Sequence, residues 1–226
     1  MLGRVTFGPT CWLDAEKGKH SVRTQQMSRV ASLWVVASVL SVGLLAPAQA
    51  DEARAKKIIG GSCFICHGME GESASEVFPR LAGQNAAYLA KQLDNFKSGK
   101  RKSTAMADMV ANLSPDDMLS LGAFFAKQKP HKELPQDNEL ADVGKYIYQK
   151  GNKFSGVAAC STCHGTDGGG SEQLPRIAGQ HAAYLETQLK QFHTRERNND
   201  NAVMHSIVAK MTPFEMAAVA EYLSIR

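Results

Sequence analysis

The chain has 226 residues, of which 43% are apolar and 21% are charged, a composition typical of globular proteins and not of disordered ones. The formal net charge is +4, but residues 1–50 contribute five basic and two acidic side chains to it. The remainder carries 21 basic and 20 acidic side chains, so charge gives no indication of a nucleic-acid partner or of an anionic membrane surface.

The first fifty residues have the pattern of an export signal. Arg29 precedes an apolar stretch over residues 30–46, and Ala48-Gln49-Ala50 has the small residues of a signal peptidase site. An uncleaved anchor helix is the alternative, although seventeen residues are short for a membrane span. We therefore predict that residues 1–50 are an N-terminal extension and signal peptide, with the start at Met27 and cleavage after Ala50, and that the rest of the chain is exported to the periplasm.

Beyond this segment, four cysteines lie in two C-x-x-C-H motifs. The motif residues are Cys63, Cys66 and His67 in the first copy and Cys160, Cys163 and His164 in the second. Positions i, i+3 and i+4 of a helical turn share one face, so two thiols can add to the vinyl groups of a porphyrin while the imidazole reaches the iron. This is the attachment pattern of c-type haem. The motifs predict two covalently bound haem c groups, with the two histidines as iron ligands.

The chain also contains an internal duplication. Residues 79–96, PRLAGQNAAYLAKQLDNF, align with residues 175–192, PRIAGQHAAYLETQLKQF, and twelve of the eighteen positions are identical. The offset between the copies is 97 at the cysteines, 96 in this segment, and 98 where LSPDDM meets MTPFEM. Each copy has about eighty residues, which is marginal for an apolar core without a bound group.

The offset of 98 identifies candidate methionine ligands. Met106 aligns with Met204, whereas Met109 aligns with Ile207. Because only the first pair is shared by the two copies, we predict Met106 and Met204 as the second axial ligands of the two irons. Met109 is interpreted as core packing but stays an alternative for the first haem, since the loop lengths differ. His205 is the histidine that competes with Met204.

Both copies show helical patterns, and no convincing alternating strand appears. Ser114 and Thr212 each precede a proline and then an acid, in the order of a capping box. Further helices are predicted after residues 83–84 and 179–180 and, ahead of the cysteine motifs, around residues 53–59 and 141–148. The sequence therefore predicts an all-α fold.

A polar segment with two prolines, KQKPHKELPQDNEL at residues 127–140, separates the copies. Such a composition is typical of a linker. We predict a first domain over residues 51–128, a linker over residues 129–138 and a second domain over residues 139–226.

The signal peptide, the two haem motifs, the PRLAGQ…YL…QL repeats and a methionine about forty residues past each motif resemble the dihaem cytochrome c4 family. The resemblance covers essentially the whole chain after residue 50. It implies two tandem class I cytochrome c domains, each wrapped around a covalently attached haem and related by pseudo-twofold symmetry.

The resemblance also implies roles for residues around the haems. The carbonyl groups of Pro79 and Pro175 are expected to accept hydrogen bonds from Nδ1–H of His67 and His164, which fixes the orientation of each ligand ring. Each of these prolines is followed by an arginine, Arg80 or Arg176. These arginines have two open roles, contact with haem propionates or plain surface exposure. The loop GTDGGG of the second copy departs from GMEGES of the first, which puts only the local loop in doubt.

Coordination by histidine and methionine fills both axial positions of an iron, and a closed iron is suited to passing single electrons. The resemblance implies a periplasmic electron carrier, not an enzyme. Its partners would be an upstream quinol-cytochrome c reductase or dehydrogenase and a downstream terminal cytochrome oxidase, and peripheral association with the membrane is compatible with this role. One alternative is a cytochrome subunit of a periplasmic dehydrogenase, such as a sulfide-oxidising flavocytochrome. A dihaem peroxidase is the other, and the paired methionines argue against it.

Overall fold

A computed structural model describes the backbone of residues 47–226 and the side chains of residues 52–226. Most of the predicted signal peptide, including Met27, lies outside the described residues and stays a prediction. The described helices are α1 Pro47–Ile58, α2 Phe64–His67, α3 Ala86–Lys97, α4 Thr104–Val110, α5 Pro115–Ala126, α6 Asn138–Lys150, α7 Ser161–His164, α8 Ala182–Thr194, α9 Val203–Val208 and α10 Pro213–Ser224.

The predicted all-α fold is confirmed. In the described part of the chain no strand forms, and the one extended pairing is an isolated bridge between Asn152 and Val157. Both predicted capping boxes are present: Ser114 caps α5 with Asp117, and Thr212 caps α10 with Glu215. None of the helices between residues 47 and 226 is both long enough and apolar enough to span a bilayer.

Equivalent sets of three helices form the two hydrophobic cores. In the first domain α5 packs against α1 and α3, and in the second α10 packs against α6 and α8. The buried core of the first domain consists of Ala55, Ile59, Leu89, Leu121, Phe124 and Phe125. That of the second includes Ile147, Tyr148, Leu185, Phe192, Val208, Val219, Tyr222 and Leu223. The duplication in the sequence is therefore also a duplication of the packing.

Helices α6 and α10 approach closely at Gly144. A Cβ atom on Gly144 would lie 1.9 Å from the carbonyl oxygen of Ala218 in α10. We expect Gly144→Ala to lower the free energy of unfolding by about 1–3 kcal/mol, because overpacking forces the helices apart. Denaturant unfolding of the haem-loaded protein measures this, with Gly60→Ala as the control, since a Cβ there meets no described atom within 4 Å. Equal losses of stability in the two variants would contradict the prediction.

Asp117 joins the start of α5 to α1. Its buried carboxylate accepts hydrogen bonds from Nη2 of Arg54 at 3.0 Å and from the backbone N–H of Ser114 at 2.9 Å. The Arg54 guanidinium, helped by Ser114, holds the pKa of Asp117 well below its ordinary value. Because the folded-state pKa is depressed, this carboxylate stabilises the fold above the unfolded-state pKa of about 4, and the stabilisation is lost as pH falls below it.

We expect Asp117→Asn to destabilise the protein at neutral pH by about 1 kcal/mol, the usual cost of a weakened helix cap. The difference in the free energy of unfolding between this variant and the unaltered chain should shrink as the pH falls below about 4. At such pH, Asp117 of the unaltered chain takes up a proton when the chain unfolds, so its charge stabilises the fold less. Unfolding curves at neutral and acid pH measure it. The exposed neighbour Asp116 provides the control Asp116→Asn. A loss of stability in Asp117→Asn that does not depend on pH would argue against an ion pair between Arg54 and Asp117.

The segment between α5 and α6 is polar, as a linker is expected to be, but it is hydrogen-bonded to the second domain. The backbone N–H of Glu133 donates to the carbonyl oxygen of Ser224 at 2.9 Å, and that of Gln136 donates to Oε1 of Glu221 at 2.7 Å. Both acceptors belong to α10. The segment is therefore held along the last helix of the chain.

Candidate haem sites

The first C-x-x-C-H motif follows α1 through a π-helical turn, Ile59–Cys63. Cys66 and His67 lie in α2, which ends because Gly68 has φ 80°, a conformation that glycine adopts without strain. This single turn of helix brings the two thiols and the imidazole to one face, the arrangement that the sequence predicts.

The loop after α2 folds back onto His67. The N–H of Ser73 donates to the carbonyl oxygen of His67 at 2.9 Å, and Nδ1 of His67 lies 2.9 Å from the carbonyl oxygen of Pro79. A carbonyl oxygen only accepts, so Nδ1 carries the hydrogen and Nε2 keeps its lone pair. Burial, only partly offset by the Pro79 hydrogen bond, lowers the pKa of His67. The ring is thus neutral near pH 7, the form that binds a metal.

The second motif repeats this geometry. Helix α7 contains Cys163 and His164 and ends at Gly165, which has φ 81°. Nδ1 of His164 lies 3.3 Å from the carbonyl oxygen of Pro175, and burial is the main cause that lowers the pKa of His164. Gly170 takes the place of Ser73, since its N–H donates to the carbonyl oxygen of His164 at 2.9 Å. The two loops thus follow the same path despite their different sequences.

The four described cysteines are free of disulfide bonds. Burial raises the pKa of the Cys63 thiol, and it raises the pKa of Cys160 to about 11, so these side chains are thiols at neutral pH. Two thiols and a neutral imidazole on one helical turn form the donor set that a covalently attached haem requires.

The candidate methionines lie on short helices in equivalent places. Met106 is half-buried in α4, and its N–H donates to the N-cap hydroxyl of Ser103 at 3.3 Å. Met204 packs against the core of the second domain from α9, and its N–H donates to Oδ2 of Asp200 at 2.5 Å. Helix α4 packs on α3, and α9 packs on α8. The side chain of Met109 is 50% exposed and does not belong to the buried core.

His205, the competitor of Met204, is hydrogen-bonded to the backbone. Its Nδ1 lies 3.0 Å from the carbonyl oxygen of Phe192 in α8. His193 makes the same kind of contact with the carbonyl oxygen of Val208, also at 3.0 Å. Both imidazoles therefore connect α8 to the segment that contains α9, so each histidine has a structural role.

Contacts between the two domains are reciprocal, which the sequence does not reveal. The side-chain amide of Gln84 donates to the carbonyl oxygen of Arg176 and accepts from its N–H, both at 2.7 Å. Gln180 makes the same two bonds with the backbone of Arg80, both at 2.9 Å. Both repeats have a glutamine at this position. That identity in the sequence is explained equally well by packing within each domain as by contact between the domains.

A second reciprocal contact involves Arg101 and Arg197. Each guanidinium crosses the domain boundary to a tyrosine hydroxyl and a glutamine oxygen. The partners of Arg101 are Tyr184 and Gln188, both at 2.9 Å, and those of Arg197 are Tyr88 at 2.9 Å and Gln92 at 3.3 Å. These contacts are therefore polar and charged, and they join equivalent positions of the two repeats.

Arg80 is not a plain surface residue. Its Nη1 donates to the carbonyl oxygen of Gly179 at 2.8 Å, its Nη2 lies 3.5 Å from Oε1 of Glu133, and its side chain is 13% exposed. Nε of Arg176 is buried and has no hydrogen-bond partner among the described residues. Plain surface exposure, one of the two roles left open for these arginines, is therefore wrong for Arg80.

The cytochrome c family profile matches residues 52–149 and, a second time, residues 141–225. A cytochrome c4 from Thiocapsa roseopersicina is 40% identical over 179 residues, which cover 77% of this chain and 90% of that protein. The chain belongs to the cytochrome c4 family. The crystal structure of reduced recombinant cytochrome c4 from Pseudomonas stutzeri matches with a TM-score of 0.73 and 32% identity, covering 80% of this chain and 100% of that one.

Membership of the cytochrome c4 family confirms the resemblance, the two tandem domains and the cofactor. The chain holds two covalent haem c groups, one in each domain, and is an electron-transfer protein rather than an enzyme. A thiosulfate dehydrogenase electron acceptor from Thiomonas intermedia (strain K12) is also similar, with 35% identity over 168 residues that cover 72% of this chain and 77% of that protein.

Proposed function

We propose that this dihaem electron carrier works in the periplasm and passes electrons to a terminal cytochrome oxidase. The proposed haem attachments are Cys63 and Cys66 in the first domain and Cys160 and Cys163 in the second. The proposed iron ligands are His67 and Met106 for haem 1, and His164 and Met204 for haem 2. The observation that carries this assignment is the histidine–proline hydrogen bond, which occurs at both motifs.

The residues around each motif have distinct tasks. When bound, each haem supplies an iron that gains or loses one electron. The carbonyl oxygens of Pro79 and Pro175 fix the tautomer and the orientation of the ligand rings, and such contacts also tune the metal. Met106 and Met204 would each hold an iron through a soft thioether sulfur, which would favour reduced iron and a high potential. An iron held by both a histidine and a methionine would offer no free site to oxygen or peroxide.

The periplasmic location is supported by the export pattern of residues 27–50. The terminal oxidase is the acceptor that the cytochrome c4 resemblance implies, and a quinol-cytochrome c reductase or a dehydrogenase would supply the electrons. Oxidation of the reduced protein by oxidase-containing membranes tests the acceptor. Turnover that depends on oxygen and is abolished by cyanide supports it, whereas no oxidation above the spontaneous rate contradicts it.

The similarity to a thiosulfate dehydrogenase electron acceptor favours a second candidate. In that role the chain would accept electrons from a periplasmic dehydrogenase of sulfur compounds, either as a mobile carrier or as a bound subunit. Stopped-flow reduction by thiosulfate dehydrogenase with thiosulfate tests it. Reduction faster than with an unrelated small cytochrome supports a specific partner, and equal rates contradict it.

The ligand assignment has its own optical test. The oxidised protein is expected to show a methionine–iron charge-transfer band, and the reduced spectrum is expected to stay unchanged under carbon monoxide. Both results follow from two closed irons. If carbon monoxide shifts about half of the haem absorbance, one of the two irons is open. The carrier function would then fail for that domain.

A further inference from the structure

His181, the residue before α8, has an acceptor at each ring nitrogen. Nδ1 lies 2.6 Å from Oε1 of Glu133 in the linker, and Nε2 lies 2.9 Å from the carbonyl oxygen of Ser73 in the first domain. A carboxylate and a carbonyl can only accept, so both contacts are hydrogen bonds only when both nitrogens carry hydrogen. The residue is 3% exposed. The geometry thus places a buried imidazolium at the domain boundary.

The groups around the ring fit a positive charge. The carboxylate of Glu133 contacts Nδ1 of the ring, and Nη2 of Arg80 lies 3.5 Å from the same Oε1. The carboxylate of Glu72, the residue before Ser73, accepts from the N–H of Glu70 at 2.9 Å. A neutral imidazole would leave one nitrogen lone pair facing an acceptor, so loss of the proton disrupts one of the two contacts.

Ser73 connects this ring to the first haem motif. Its N–H donates to the carbonyl oxygen of His67 at 2.9 Å, and its hydroxyl lies within hydrogen-bond distance of the carbonyl oxygens of Phe78 at 2.9 Å, Ser75 at 3.1 Å and Cys66 at 3.3 Å. The carbonyl that receives His181 therefore belongs to the residue that fastens the loop to the motif. Inside the protein such a chain of hydrogen bonds transmits charge effects more strongly than in water.

The equivalent contact on the other side is neutral. Asn85 occupies the position of His181 in the first repeat, and its Nδ2 donates to the carbonyl oxygens of Ser171 and Leu174 at 2.5 and 2.6 Å. Gly170 replaces Ser73 and has no hydroxyl. The loop of the first motif thus faces a titratable charge, whereas the loop of the second faces an amide.

We propose that His181 is a positioning residue that links the potential of haem 1 to a proton. The proposal rests on the ligation of haem 1 by His67 given above. A positive charge beside the ligand loop favours the reduced iron, so the electron that reduces haem 1 strengthens the hold of His181 on its proton. By reciprocity, loss of that proton lowers the potential of haem 1. The loop of the second motif contacts Asn85, which carries no titratable proton.

Redox titration of both haems in the intact haem-loaded chain, from about pH 5 to about pH 9, tests the proposal, since histidine ordinarily titrates in this range. The potential of haem 1 is expected to fall as the pH rises. A threefold difference in proton affinity between the two redox states corresponds to about 28 mV, at 59 mV per tenfold for one electron. The potential of haem 2 is expected to change less.

Two variants separate the charge from the fold. His181→Asn introduces the residue that the first repeat carries as Asn85, and it is expected to remove the pH dependence of haem 1. Glu133→Gln keeps the size of the side chain and is expected to move the midpoint of the pH dependence to lower pH, because the protonated ring loses its anionic partner. His131→Asn, at an exposed linker histidine, is the control and is expected to change neither haem.

A pH-independent potential of haem 1 in the unaltered chain would overturn the proposal, and so would an unchanged pH dependence in His181→Asn. The oxidised spectrum separates this failure from that of the proposed ligands. If the methionine–iron band is present in all variants, the ligands stand and only the proton link fails. If it is absent from the unaltered chain, the ligand assignment itself is wrong.

Discussion

Replacement of Cys63 and Cys66 together by serine is expected to leave one covalent haem per chain and an unfolded first domain. The buried core of that domain has six residues in its main cluster, and a domain of about eighty residues with a small core is marginally stable. The haem supplies a large apolar body for the helices to pack around. Without the thioether bonds, the haem is no longer covalently attached to the first domain.

Haem content per chain and near-ultraviolet circular dichroism measure the result, and hydrogen exchange locates it. The covalent haem content should fall by half, and fast exchange should be confined to α1, α3 and α5. Replacement of Cys160 and Cys163 is the matched experiment for the second domain, and Ser62→Ala, next to Cys63, is the control. Retention of two covalent haems in the Cys63/Cys66 variant would refute the attachment sites.

Met106→Ala is expected to open haem 1 while haem 2 stays closed. The methionine–iron charge-transfer band should lose about half of its intensity, and about half of the reduced haem should bind carbon monoxide, since one of two irons loses its sulfur ligand. The potential of haem 1 should also fall, because thioether sulfur stabilises reduced iron. Optical spectra with and without carbon monoxide measure the first two effects.

Met109→Ala is the matched control, since it lies three residues along α4 with a side chain that is 50% exposed. It is expected to leave the band unchanged. Loss of half of the band in Met109→Ala, with an intact band in Met106→Ala, would transfer the ligand role to Met109. In the second domain the same comparison pairs Met204→Ala with His205→Ala.

Local sequence patterns predicted the helices and the motif geometry well. Ser114 and Thr212 cap their helices through bonds to residues three positions away, and the C-x-x-C-H motif needs only one helical turn. Such features are decided within a few residues, so the sequence contains all the information they need. The histidine–proline contacts span eleven and twelve residues, and the family resemblance placed them.

The domain boundary could not be predicted in this way. The bonds of Gln84 and Gln180 join residues that lie 92 and 100 positions apart, and no local period indicates them. His181 was the more difficult case. Comparison of the repeats favours residues that both copies share, and His181 is aligned with Asn85. A search for ligands shared by both repeats therefore overlooks His181, because its proposed role depends on the difference between the repeats.

The paired glutamines have a consequence for how such a chain evolves. When each of two units offers the same residues to the other, the contact has the form of the interface in a symmetric homodimer. In a homodimer encoded by one gene, every substitution appears on both sides of the axis. Here the two sides are encoded separately and are kept together by the covalent chain. A histidine could therefore arise on one side while an asparagine stayed on the other, so the two haems of one molecule are free to specialise.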